Sequence, residues 1–365
     1  LDPNQVRAAQ LSAEQIMQLE ALGYMTGESS TAGETIPFRG SLPDPVSRLP
    51  VLAQVESARL ALQTGDLETA AERVEQVLEL EPRLVTVRSL QVQIYVRQGK
   101  LETALSLARE LHAERPTSNT RTALGYLFLM QGELDEAARF FSEAIEADPY
   151  LESSWKGYLH ILFIRGEILT LREQLNRART LLPTSPAIQG MDGVVLAMTG
   201  QHQEAELALL SSLEAVPRQP FLHHGMGIIR KHQDRLDEAE TYFLEELQVQ
   251  PPALPSRKLL VEIYAAQKRY TEQLEQLEII VDVEPPQILT AHSKAQVLYN
   301  LQRFDDAYEA IEICRELGPS YPACAMLEAN ILKRLRREQE AKIAYEHALE
   351  LRAQMEAVET ESSLP

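Results

Sequence analysis

Eight histidines and two cysteines are the side chains of this 365-residue chain best suited to bind a metal or act as nucleophiles. Their spacing does neither. His223 and His224 are adjacent, so they point to different faces of a helix. No two histidines stand four apart, and no Cys/His cluster has ligand spacing. Cys314 lies in Ile-Cys-Arg-Glu-Leu and Cys324 in Ala-Cys-Ala-Met, neither of which is a nucleophile motif. No motif marks a Ser-His-Asp triad. The sequence predicts a non-catalytic chain with no metal and no cofactor.

The frame that positions these residues is a ladder of prolines. Pro82, Pro116, Pro149, Pro183, Pro217, Pro251, Pro285 and Pro319 are 34 residues apart, except for one step of 33. A fixed period of this length marks a stacked repeat. With the closing proline as position 32, units begin at Val51, Val85, Ser118, Glu152, Pro186, Pro220, Leu254, Ile288 and Pro322. The stretch Ser118–Pro149 reads as a helix, a turn at Gly132 and a second helix that stops before Pro149. Position 20 is alanine in seven units, among them Ala70, Ala137 and Ala239. Position 8 is mostly small (Ala58, Gly125, Gly193, Gly227), and position 24 is often aromatic (Phe141, Phe243, Tyr345). Small residues let two helices approach, and large ones fill the space around the contact. Position 15 is Gly65, Gly99, Gly132, Gly166 and Gly200, a left-handed helix end. It then becomes Asp234, Lys268, Gln302 and Arg336, where that conformation is costly.

These residues resemble the tetratricopeptide repeat (TPR) family over residues 46–358. The resemblance implies an all-α, right-handed superhelical solenoid of about nine helix-turn-helix repeats. It also implies that positions 2, 5, 9 and 12 of the first helices line a concave groove. In the central repeats these include Asn119, Thr122, Tyr126, Leu129, Lys156, His160, Phe163, Val194, Phe221, His224, Ile228 and Lys231. The strip carries no carboxylate, and its apolar anchors and two lysines suit an extended or helical peptide with some acidic character. The family's carboxylate clamp is not matched, since His160 follows Lys156 where Asn is needed, and Met326 precedes Asn330.

The net charge of −19 argues against nucleic acid and against anionic membrane surfaces. No apolar run approaches the length of a membrane span. No signal peptide is visible, and the chain begins with Leu1, which suggests a processed product or a fragment. Residues 1–24 read as a leader helix with a Ser12/Gln15 capping box ending at Gly23. Residues 11–24, with Asp44-Pro45, resemble the segment linking a bacterial sulfatase-like catalytic domain to C-terminal TPRs. That resemblance implies a non-catalytic arm of an exported protein; without it the chain would be cytoplasmic. The sulfatase Cys/Ser-x-Pro-x-Arg motif is absent.

Residues 25–47 read as a linker, 48–358 as the solenoid and 359–365 as a frayed tail. The entry to the seventh repeat, near 250–256, is the weakest seam, with Pro251-Pro252 and Gln273 in place of the position-20 alanine. Residues 338–358 read as a polar closing helix. Cys314 and Cys324 face each other across a repeat junction, as a disulfide or as two small buried residues. Two functions are carried forward: a scaffold binding a protein or peptide in its groove, and a structural protein that self-associates end to end or through its leader.

Overall fold

The structure is a computed structural model that describes residues 49–250 and 253–362; side chains beyond 356 are not described. The leader helix, its capping box, the linker and Pro251-Pro252 lie outside the described residues.

Every repeat becomes a pair of helices. The first helices are α1 (Leu49–Thr64), α3 (Val85–Arg97), α5 (Ser118–Gln131), α7 (Glu152–Ile164) and α9 (Pro186–Met198). They continue as α11 (Leu222–His232), α13 (Leu254–Ala266), α15 (Ile288–Asn300) and α17 (Pro322–Arg334). The second helices are α2 (Leu67–Leu80), α4 (Leu101–Glu114), α6 (Leu134–Ala147), α8 (Ile168–Leu181) and α10 (His202–Ala215). They continue as α12 (Leu236–Val249), α14 (Tyr270–Val283), α16 (Phe304–Leu317) and α18 (Glu338–Ser362). There are no strands among the described residues. All nine second helices start at position 17. The last runs past residue 358 to Ser362, because no Gly or Pro stops it before Pro365.

The residues form two compact units, with the boundary between Ile161 and Leu162 inside α7. In the first unit, Phe141 at position 24 is fully buried and acts as a wedge. A Cβ on Gly125, at position 8 of the same repeat, would lie 2.8 Å from the Phe141 ring. A Cβ on Gly157, in the next repeat, would overlap that ring outright. Only glycine lets the helices come this close. Trp155 is also fully buried, and its indole Nε1 donates to the Pro149 carbonyl at 2.8 Å.

The second unit repeats the device. Buried Leu209 would meet a Cβ on Gly193 at 2.9 Å and one on Gly225 at 2.9 Å. Phe243 stands against Gly227 in the same way. Cys314 and Cys324 are joined as a disulfide between α16 and α17, with Cα atoms 6.1 Å apart.

The turn geometry does not change when glycine disappears. Position 15 has positive φ in all nine repeats, from Gly65 at 84° to Asp234 at 59°, Lys268 at 58°, Gln302 at 62° and Arg336 at 61°. In those last four repeats the next residue is arginine, and it pairs with an acid three residues on. The pairs are Arg235–Glu238, Arg269–Glu272, Arg303–Asp306 and Arg337–Glu340. Such exposed pairs contribute roughly 0.3–0.5 kcal/mol each, which offsets only part of a left-handed residue's cost of about 1–2 kcal/mol.

Repeat six departs most from the pattern. Its first helix starts at Leu222, two residues late, behind Phe221 at φ 72°. For a buried aromatic residue this is an outlier. Its cause is Glu246, at position 27, where the other repeats place Val77, Leu111, Ala144, Ala178, Ser212, Ile280, Cys314 and Ala348. The Glu246 carboxylate is completely buried and accepts from the amide of Phe221 at 2.7 Å and that of His224 at 3.2 Å. It caps α11 from another helix, where unpaired amides and the helix dipole favour negative charge. Burial still raises its pKa, although those amides pull the other way. His224 Nδ1 lies 2.8 Å from Ser256 Oγ, and burial depresses the imidazole to about 4.

Two expectations follow. Lys268→Gly should stabilise the protein by about 1 kcal/mol, and Gly132→Ala should destabilise it by a similar amount. Both side chains' sites are free of steric conflict or exposed, so the shift in a urea midpoint reads backbone strain alone. A histidine depressed from its unfolded value stabilises the fold above about pH 6.5, and that stability is lost as pH falls toward 4. Between pH 7 and 4.5 the advantage of wild type over His224→Gln should shrink by about 2–3 kcal/mol. A constant gap in unfolding free energy would show that His224 is not held neutral.

Candidate interaction cleft

The predicted strip divides into a part that opens to solvent and a part that holds the repeats together. In the first unit Asn119 is exposed. Thr122 is buried, with Oγ 2.7 Å from Ser154 Oγ and donating to the Ser118 carbonyl at 2.8 Å. Tyr126 is half-buried and donates to the Ser153 carbonyl at 2.8 Å, with its ring edge-on to Phe141. Burial, with the Glu152 charge, pushes its phenol up to about 12. Leu129 packs against the core. Lys156 is half-buried, and His160 is depressed to about 4 by burial.

In the second unit the strip is mostly interior, and the expectation of an open lining there is corrected. Phe163, Val194, Phe221 and His224 are buried. The Phe163 and Phe221 rings lie 4.2 Å apart between centroids, and His224 stands edge-on to Phe163. Ile228 packs against the cluster around Phe243 and Leu260. Lys231 is ion-paired with Glu262, so its charge is already answered. The physical reason is that these large side chains are used in contacts between helices: Phe163 on α7 meets Phe221 and His224, whose backbone amides are held by the buried Glu246.

The open part of the strip continues toward the N-terminus. A cleft of about 1340 Å³ lies on the first-helix side of repeats one to three. Its floor includes Leu62, Leu90, Leu111 and Leu127; its walls include Thr86, Ser89, Gln93, Asn119, Thr122 and Tyr126. The charged lining is Arg59, Arg83, Arg97, Arg115 and Asp148. Asn119, Thr122 and Tyr126 are the three predicted residues that line it. Thr86, Ser89 and Gln93 occupy positions 2, 5 and 9 of repeat two, so extending the same rule one repeat earlier finds them. Arg83 and Arg115 lie on connections between repeats, where no helix position points to them.

Among the described residues no group of three or more His, Cys, Asp or Glu is placed to hold a metal ion. Among them no helix is long and apolar enough to cross a membrane.

Comparison with known proteins agrees with this architecture. Tetratricopeptide-repeat family models match residues 55–119, 90–152 and 324–355. An uncharacterized 18.1 kDa protein in the carS 3′ region of Myxococcus xanthus is 31% identical over 129 residues, which cover 35% of this chain and 75% of that protein. The anaphase-promoting complex subunit cut9 of Schizosaccharomyces pombe is 24% identical over 178 residues, 47% of this chain and 26% of that subunit. The crystal structure of the APC/C hetero-tetramer Cut9–Hcn1 aligns with a TM-score of 0.56 and 18% identity, covering 79% of this chain and 57% of that one. This chain thus spans only about a quarter of cut9 in the sequence match. Period, helix pairing, left-handed turns and these similarities agree: the chain carries tetratricopeptide repeats, matched by family models over residues 55–152 and 324–355.

Proposed function

We propose that this protein is a non-catalytic interaction scaffold that binds a segment of a partner protein in the cleft of its first three repeats. The observation that carries the reading is the cleft itself, with an apolar floor and hydrogen-bonding walls. The floor offers burial for apolar anchors, and Ser89, Gln93 and Asn119 offer partners for a peptide backbone. The relative Cut9, found in a hetero-tetramer with Hcn1, supports a role in protein assembly.

A narrower reading makes the scaffold the C-terminal arm of a sulfatase-like protein. It is supported by the resemblance of residues 11–24 and 44–45, and a Cys/Ser-x-Pro-x-Arg motif upstream in the reading frame would establish it. A second reading, end-to-end self-association, is favoured by the last repeat. Tyr345 and Leu349 there are 48% and 45% exposed, at positions where Phe141 and Ile145 are buried. Light scattering that finds a monodisperse monomer removes it.

The scaffold reading is tested with a displayed library of random peptides. Enriched peptides should bind the wild-type chain and lose about tenfold or more in affinity for Ser89→Trp, which fills the cleft from its wall. Binding unchanged by Ser89→Trp, or no enrichment, would contradict it.

A further inference from the structure

We infer that the cleft selects an extended partner segment carrying Asp or Glu side chains, held over repeats one and two by Arg83 and Arg115. The inference rests on the scaffold reading and adds the chemistry of the partner.

The chain has 54 acidic against 35 basic residues, yet this cleft is lined by four arginines and a single aspartate. The four arginines are not equivalent. Arg59 is paired with Glu56 at 3.3 Å, and Arg97 donates to the Leu62 carbonyl. Arg83 and Arg115 are exposed and form no ion pair among the described residues. Both sit on connections between repeats, Arg83 between α2 and α3 and Arg115 between α4 and α5, so they stand one repeat apart. The acid that could neutralise them is already engaged: Glu114 receives two hydrogen bonds from Arg88, at 2.7 and 2.8 Å. Arg83 adds only the weakest pull on the Glu114 carboxyl, after Arg88, so two guanidiniums without an ion pair stand on the edge of a cleft in a strongly acidic molecule and make a local positive field. Guanidinium also favours forked bonds to carboxylates.

Asp148 gives the site a direction. It occupies the same position in repeat three as Arg115 does in repeat two, one residue before the closing proline. A carboxylate placed there would be repelled, so the acidic stretch lies over repeats one and two and gives way to uncharged residues over repeat three.

The test uses the full chain and short labelled peptides in which Leu alternates with Glu, Gln, Lys or phosphoserine, read by fluorescence anisotropy. The Glu peptide should bind about tenfold or more tightly than the Gln peptide, and the preference should weaken with added salt. Arg83→Glu with Arg115→Glu should erase that preference and transfer it to the Lys peptide. Both arginines are exposed, so the double variant should keep the wild-type unfolding midpoint. If Glu and Gln peptides bind alike and Ser89→Trp abolishes both, the scaffold reading stands and the acidic preference is wrong. No binding by any of the peptides, binding of the phosphoserine peptide alone, or an unchanged preference in the double variant also overturns it.

Discussion

The contact on which the structure depends is a large side chain of one second helix set between small residues of two first helices. Phe141 does this between Gly125 and Gly157, and Leu209 between Gly193 and Gly225. Helices joined this closely leave no room for a methyl group at the contact, so the spacing of the stack is fixed by what is missing from glycine. The same position holds Val74, Leu175, Leu277 and Ile311, all buried, while repeat two has the small Ala108 there and the last repeat an exposed Tyr345. Each repeat is therefore completed by its neighbour, the property that makes a repeat stack stable as an array.

That completion also decides what remains for a ligand. Where residues of a first helix or its cap are large, as with Phe163, Phe221 and His224, they are consumed in holding repeats together. Ser89, Gln93 and Asn119 leave the helix face open, whereas Thr122, though small and polar, is buried against Ser154. Repeat six shows how far this can go. A buried Glu246 replaces an apolar core residue and captures the start of α11, at the expense of two helical residues and a left-handed Phe221. Buried carboxylates are tolerated when hydrogen-bonded, and here the partners are backbone amides that would otherwise be unpaired.

The fold was largely legible in the sequence because its signal is periodic. Proline spacing set the register of all nine repeats, and the alignment of Asp234, Lys268, Gln302 and Arg336 with the earlier glycines identified four costly turns. The open surface was less legible. A positional rule names the residues that point toward one face of a helix, but it does not say whether their size carries them into the next repeat. It is also silent about connections, which is why Arg83 and Arg115 emerge only from the structure. Glu246 carries no sequence signal beyond being a charge at a position occupied elsewhere by apolar residues, alanine, serine or cysteine.

The most direct measurement of the packing account is a double-mutant cycle on Phe141→Leu and Gly157→Ala, read by denaturant unfolding. A methyl on Gly157 overlaps the Phe141 ring, so Gly157→Ala alone should cost about 1–3 kcal/mol. Leucine at 141 vacates the space that methyl needs, so the double variant should be more stable than additivity by about 1 kcal/mol or more. Strict additivity would mean that the two residues do not share one contact, and the wedge would not be what spaces the repeats.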